Sequence, residues 1–221
     1  MTPFIISGLI DPFQPSFPAK CDTYYNPPKS SYYAEYNIGE AHTVSLIGGV
    51  VWHYRDKSRS KEWKNLVRDF LTLNKIDYCY TTVDPHFGVE MTEFCHSLQI
   101  PYIVVCPMEK YWLYDKLGKD HRELASFLVK RAARVIITEP EAQWLKDFEP
   151  HDYPDQGPGK ERYVEGIARF IWRNKWMVKQ ADATCLIVPK RNTCMHRELS
   201  QQIRMSDKPW LVITEKKKGK R

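Results

Sequence analysis

Short, continuously apolar runs alternate with stretches of helical period along most of this 221-residue chain. No other feature constrains the fold as strongly. The runs are Phe4–Ser7, Tyr78–Thr82, Tyr102–Cys106, Val135–Thr138, Thr184–Val188 and Trp210–Thr214. They lack the in–out alternation of strands with one wet face, so each is expected to be buried on both faces, as in a parallel sheet. Between them, Lys61–Leu73 places Trp63, Leu66, Val67, Phe70 and Leu71 on one helical face. Gly88–Leu98 is a second helical stretch. Lys110–Ala132 is a third, with Leu124, Phe127, Leu128 and Ala132 on its stripe. Tyr163–Gln180 is the longest, with Val164, Ile167, Ala168, Ile171, Trp172 and Met177 in period, and His196–Arg204 is the last. Strand–helix–strand units of this kind cross over right-handed and cover both faces of a sheet. The expected fold is α/β, a Rossmann-like three-layer sandwich with a mostly parallel sheet, in one domain over residues 1–215.

Three segments interrupt the pattern. Asp11–Gly39 is rich in Pro, Tyr, Ser and Asn without a steady period, and reads as an irregular insertion. Glu149–Gly159, with three prolines, reads as a loop. In Ala41–Tyr54, two apolar runs flank Gly48-Gly49. A phosphate-cradling glycine loop would be followed directly by a helix. Here Val50 and Val51 follow, which favours a β-hairpin over residues 43–54.

Composition excludes several classes. Hydrophobic residues make up 43% and charged residues 27%, the balance of a globular chain. No apolar run approaches the ~18–20 residues that span a bilayer. Met1–Gly8 has no basic start followed by a long apolar stretch, so a first strand is expected there and not a secretory leader. The six cysteines form no CxxC pair, and Cys79, Cys106 and Cys185 lie inside apolar runs as small hydrophobes. Reduced thiols, a cytoplasmic setting, no metal and no cofactor are expected. The net charge of +6 owes most of its excess to Lys216, Lys217, Lys218, Lys220 and Arg221, a basic tail over 216–221. The nearly neutral remainder disfavours nucleic acid as the main partner.

In open parallel sheets, ligands bind beyond the carboxyl ends of the strands, where helix N-termini present free N–H groups. That rule singles out Ser7–Asp11, Thr81–Gly88, Pro107–Lys110, Glu139–Glu141 and Pro189–Thr193. In Thr81–Glu90, the hydroxyls of Thr81 and Thr82 and the helix start at Gly88 suit phosphate or ribose. Asp84 suits ribose hydroxyls or attack on an anomeric carbon, and equally a helix cap ahead of Pro85. Glu90 sits in the first turns of that helix, where a carboxylate is favourable in any case. Arg173 and Asn174, late in the longest helix, suit either the surface or a phosphate or base contact.

Arg173-Asn174 through Met177-Val178 to Ala181-Asp182, followed by the strand Ala183–Val188, resembles the RNxxMVxxAD-plus-strand signature of the SLOG superfamily. That group includes the DNA-processing protein A fold and the lonely-guy phosphoribohydrolases. Ile5-Ile6-Ser7-Gly8, Gly88-Val89-Glu90 and Ile100–Pro107 resemble, in order, the opening strand with its Ser–Gly turn, the Gly–Val–Asp helix start, and the next strand with its terminal proline. The resemblance implies a crevice for nucleotides, nucleotide sugars or nucleic acid. It also implies N-glycosidic cleavage or exchange in some members. The chain departs from the pattern at Val83–Phe87, where small residues are usual, and at Lys190-Arg191-Asn192-Thr193, where Gly–Gly–Thr is usual. The usual downstream glutamate position is Cys95, with Glu93 nearby as a substitute. The PGGxGTxxE signature of lonely-guy enzymes is absent.

On this basis the chain is expected to bind a nucleotide or nucleotide derivative through Ser7, Gly8, Thr81, Thr82, Gly88, Arg173, Asn174, Lys190, Arg191, Asn192 and Thr193. If it cleaves or exchanges an N-glycosidic bond, Glu90, Glu93 and Asp84 are the carboxylates for that chemistry. The alternatives are a non-catalytic sensor or sequestering protein, and a DNA-associated protein. The resemblance and the many aromatic residues make a homo-oligomer plausible.

Overall fold

A computed structural model describes residues 23–25, 32–48, 57–85, 87–113, 118–148, 160–188 and 194–216. Its centre is one eight-stranded sheet in the order β1-β2-β8-β7-β3-β4-β5-β6. Six strands run parallel: β3 (Thr43–Gly48), β4 (Tyr78–Thr81), β5 (Tyr102–Cys106), β6 (Arg134–Ile137), β7 (Ala183–Val188) and β8 (Trp210–Glu215). The chain steps outward from β3 through β4 and β5 to β6. It then returns to the other side of β3 for β7 and β8. The direction of winding therefore reverses between β3 and β7, which is the topological switch point of a doubly wound sheet.

Helices cover both faces. Helices α1 (Lys57–Leu73), α2 (Phe87–Ser97) and α3 (Lys119–Val129) pack one face through Trp63, Phe70, Met91, Cys95 and Leu128 against Val44, Leu46, Val104 and Cys185. Helices α5 (Lys160–Gln180) and α6 (Cys194–Arg204) pack the other through Met177, Val178, Leu199 and Ile203 against Ile47, Val105, Leu186 and Val212. Successive strand residues supply opposite faces, as pleating requires. Every residue of β7 is buried. The α/β three-layer sandwich is thus the fold.

Several sequence expectations change. Thr43–Gly48 is not one arm of a hairpin: it is the central strand, with parallel neighbours β4 and β7. Both of its edges are occupied, so no antiparallel return can pair there. Residues 49–56 lie outside the described residues. The expected irregular insertion over 11–39 contains two regular strands, β1 (Thr23–Tyr25) and β2 (Tyr32–Asn37). Strand β2 pairs antiparallel with β8 and buries Tyr32, Ala34 and Tyr36 while Tyr33, Glu35 and Asn37 lie outward. This is the in–out alternation of an antiparallel strand with one covered face. The expected strand Phe4–Ser7 and the loop over Glu149–Gly159 fall outside the described residues.

Lys110–Ala132 divides into a 3-10 turn at Tyr111–Leu113 and α3, which starts after Gly118 at φ +79°. Phe127 is 42% exposed and is not part of the buried stripe. A short helix, α4 (Ala142–Asp147), was not expected from the sequence. No helix among the described residues is long and apolar enough to cross a membrane.

Candidate functional site

The carboxyl edge of the sheet gathers polar side chains around one buried guanidinium. Arg173 lies on α5, one turn before Met177, which is fully buried against the sheet. Its Nη1 donates to Oδ1 of Asp84 at 2.7 Å. Its Nε and Nη2 donate to Oδ1 of Asn174 at 3.2 and 2.9 Å. Asp84 stands three residues past β4, in the loop entering α2. The ion pair therefore joins a helix of one layer to a loop leading into the other, over the carboxyl end of the sheet.

Four observations show how the fold holds this pair. Gly88 opens α2 so close to Thr82 and Asp84 that a β-carbon there would overlap the Thr82 hydroxyl. The Thr92 hydroxyl, one turn on, lies 2.6 Å from the Thr82 carbonyl and 2.9 Å from that of Gly88, tying the loop to the helix. From α3, the His121 ring places Nε2 3.0 Å from the Val83 carbonyl, so Nε2 carries the proton in that bond. Phe87 packs against Trp63 at 5.5 Å between centroids and closes on Gly48, the last residue of β3.

The second wall is aromatic. Tyr111 meets Phe170 edge to face at 5.4 Å, and the Arg173 guanidinium lies 5.0 Å from the Phe170 centroid. Cys106, at the end of β5, lies beneath. Burial pushes its thiol up to about 12, the nearby Asp84 adds to that, and Arg173 opposes it. Burial likewise raises the Tyr111 hydroxyl well above its usual value. Both groups are neutral at ordinary pH, so Cys106 supplies no nucleophilic thiolate.

The site retains unused hydrogen-bonding capacity. A guanidinium has five N–H donors, and three of Arg173's are engaged. Among the described residues, Oδ2 of Asp84 and Nδ2 of Asn174 have no partner. The Arg173 side chain is 4% exposed and that of Asp84 21%, so the carboxylate is the part of the pair open to solvent. An arrangement of this kind can accept hydroxyls through Asp84 and donate to an anion through Arg173 and Asn174.

The structure brings Asp84, Gly88, Arg173 and Asn174 together. Thr81 is near them but directed inward: its hydroxyl donates to the Ile103 carbonyl at 3.4 Å within the sheet. Thr82 contributes its carbonyl to the loop brace. Glu90 is engaged elsewhere, with Oε1 2.8 Å from Lys64 Nζ on α1. Glu93 lies exposed on α2. Ser7, Gly8, Lys190, Arg191, Asn192 and Thr193 lie outside the described residues. Sequence reasoning missed Gly48, Thr92, His121, Phe170 and Tyr111. Of these, Gly48 carried a legible signal, since it ends an apolar run with two glycines.

Among the described residues, no three His, Cys, Asp or Glu side chains are grouped to hold a metal ion. No protein-family model matches the chain, and no curated protein matches it.

Proposed function

We propose that this chain is a SLOG-like protein that binds a nucleotide or nucleotide-derived ligand beyond the carboxyl ends of β3, β4 and β7. The observation that carries this reading is the buried Arg173, held by Asp84 and Asn174 with donors to spare, one strand from the point where the winding reverses. Switch points in doubly wound sheets are where such ligands sit. In this reading Asp84 takes the sugar hydroxyls, Arg173 and Asn174 orient the phosphate, and Phe170 and Tyr111 flank the base.

Binding is favoured over catalysis by the positions of the acids. Glycosidic cleavage needs a carboxylate at the anomeric carbon. Glu90 is paired with Lys64 and Glu93 is exposed, which leaves Asp84 to serve if the bond is broken at all. A thermal-shift screen against nucleoside mono-, di- and triphosphates, deoxynucleotides and nucleotide sugars tests the reading, followed by chromatography for released base. A ligand at about a hundredfold excess over its Kd adds about 2.7 kcal/mol of stability. Expected is a hit that Asp84→Asn weakens. Release of base from that ligand, lost in the same variant, would add the catalytic role. No hit across the panel would overturn the proposal.

A further inference from the structure

A second feature lies on the flank of the molecule, along the outer side of α3. A groove of about 700 Å³ is lined by Leu113, Lys119, Arg122, Phe127, Lys130 and Arg131, with Glu123 its one acid among the described residues. Two of the most exposed large apolar side chains among the described residues are here, Leu113 at 49% and Phe127 at 42%. Exposed apolar groups set among cations mark an interaction surface more often than isolated ones do.

The cations are partly preorganised. The Arg131 guanidinium stacks on Phe127 at 3.6 Å from the ring centroid, and its Nη1 donates to the Phe127 carbonyl at 3.3 Å. That fixes the fork in place and leaves further N–H donors for a carboxylate. Lys119 meets Glu123 at 3.8 Å with both side chains more than two-thirds exposed, a contact that a partner can displace at little cost. Arg134 is exposed at the start of β6, the edge strand that follows α3 in the chain.

We propose that this groove docks an acidic, amphipathic segment of a partner protein. The carboxylates would meet Lys119, Lys130 and Arg131, and the apolar side chains would cover Leu113 and Phe127. This is the helix-in-groove mode, and α3 is about 16 Å long, which matches about three turns of a partner helix. Two alternatives fit the surface less well. A small anionic ligand would stay mostly wet in a groove this open, whereas small-molecule sites bury most of their ligand. A single-stranded nucleic acid wants successive aromatic platforms. Among the described residues the groove has one aromatic ring, already covered by Arg131, and its exposed Leu113 offers a base nothing.

The test selects from a displayed library of random peptides, each about 24 Å long as a helix. The target is the full chain, with counter-selection on the Lys130→Glu, Arg131→Glu variant. Both positions are exposed, so the variant should keep the wild-type Tm, and Phe127→Ser is a second, uncharged disruption. Expected are peptides that mix Asp or Glu with Leu or Phe. The best of them, synthesised, should bind at least about tenfold more weakly to either variant and at raised salt. Selected peptides that bind wild type and variants alike, or that carry no acidic bias, would overturn the proposal. So would a selection that yields no binders. A labelled dT20 that binds the wild type and is lost on the same charge reversal would assign the groove to nucleic acid instead. None of these readings depends on the nucleotide screen.

Discussion

One block of sequence, Arg173–Val188, supplies polar anchors at both edges of the sheet, and the two ends differ. At the amino edge, Asp182 accepts from the backbone N–H groups of His42 and Thr43 at 3.2 and 3.0 Å and from the Thr43 hydroxyl at 3.0 Å, all through Oδ2. Its own N–H donates to that hydroxyl at 2.9 Å. Lys208 adds a cation to the carbonyls of Val178, Lys179 and Ala181 at the end of α5. Every one of these bonds joins protein to protein, and together they clamp the entry of β3 to the entry of β7. At the carboxyl edge, Arg173 and Asp84 are joined as firmly but keep donors and an oxygen unspent. Among the described residues both clusters leave a carboxylate oxygen without a partner, and they differ in the cation: Lys208 spends its donors on three carbonyls, whereas the Arg173 guanidinium, 4% exposed, keeps N–H donors beside a carboxylate that faces solvent.

The largest expected effect tests whether Arg173 is also architectural. Arg173→Ala strands the Asp84 carboxylate against buried surroundings, and breaking a buried pair costs about 3–5 kcal/mol. Urea denaturation should show a loss of that order. Arg173→Lys should recover part of it, because a point charge reaches Asp84 but cannot also span Asn174. A loss under about 1 kcal/mol would place the pair with ordinary surface contacts and erase the contrast between the edges.

The next prediction concerns Cys106, which lies under the carboxyl-edge cluster. Its thiol titrates near 9.0 in the unfolded chain and is pushed up to about 12 in the fold, mainly by burial. The unfolded state therefore loses its proton first as pH rises. The contribution is fully present below pH 9 and is lost on the way to pH 12. Stability of the wild type should fall more steeply between pH 9 and 11 than that of Cys106→Val. Denaturant midpoints across that range check it. Parallel slopes would mean that the thiol is not shielded.

Much of this layout was legible in the sequence, and the failures have physical causes. Five of the six apolar runs named as buried strands fall on β4 to β8, with ends shifted by at most one residue. Continuous burial leaves a signal that needs no context. The central strand β3 was assigned to a hairpin because Val50 and Val51 continue the apolar pattern past Gly48-Gly49. Local chemistry cannot tell a turn from the end of a parallel strand whose neighbours lie about 35 and 139 residues away in sequence. The alternation of Tyr32, Ala34 and Tyr36 was readable but was masked by the prolines around it. At the site, Asp84 and Arg173 were both named, but their pairing was not. They are 89 residues apart, and only the fold brings them together.

Gly48 offers a sharper probe of the same edge. A β-carbon there overlaps the Phe87 ring. Gly48→Ala should cost about 1–3 kcal/mol through overpacking, and Phe87→Leu in the same chain should recover part of it. A double-mutant cycle measures the coupling. At the amino edge, Asp182→Ala removes charge-assisted bonds that are partly exposed, for a cost of about 1–2 kcal/mol. It should leave any nucleotide-induced thermal shift unchanged. A lost shift would mean that the two ends of the block act as one unit.

The smallest effect is expected at Glu90, where the two readings of the site diverge most. Its carboxylate meets Lys64 at 2.8 Å, with the side chains 12% and 25% exposed. Lys64 also lies 5.4 Å from the Trp63 centroid and 5.9 Å from that of Phe94, so the cation has aromatic neighbours that hold it without its partner. Glu90→Gln keeps a hydrogen-bonding group beside Lys64 and should therefore cost about 1 kcal/mol, less than removing a partner outright. If Glu90 serves only to join α1 to α2, ligand-induced stabilisation and any base release will match the wild type, while Asp84→Asn weakens both. A Glu90→Gln protein that binds normally but releases no base would make Glu90 the working acid, with Lys64 displaced when the ligand arrives. The carboxyl edge would then extend from Asp84 across the first turn of α2, beyond the reach that the resting ion pairs suggest.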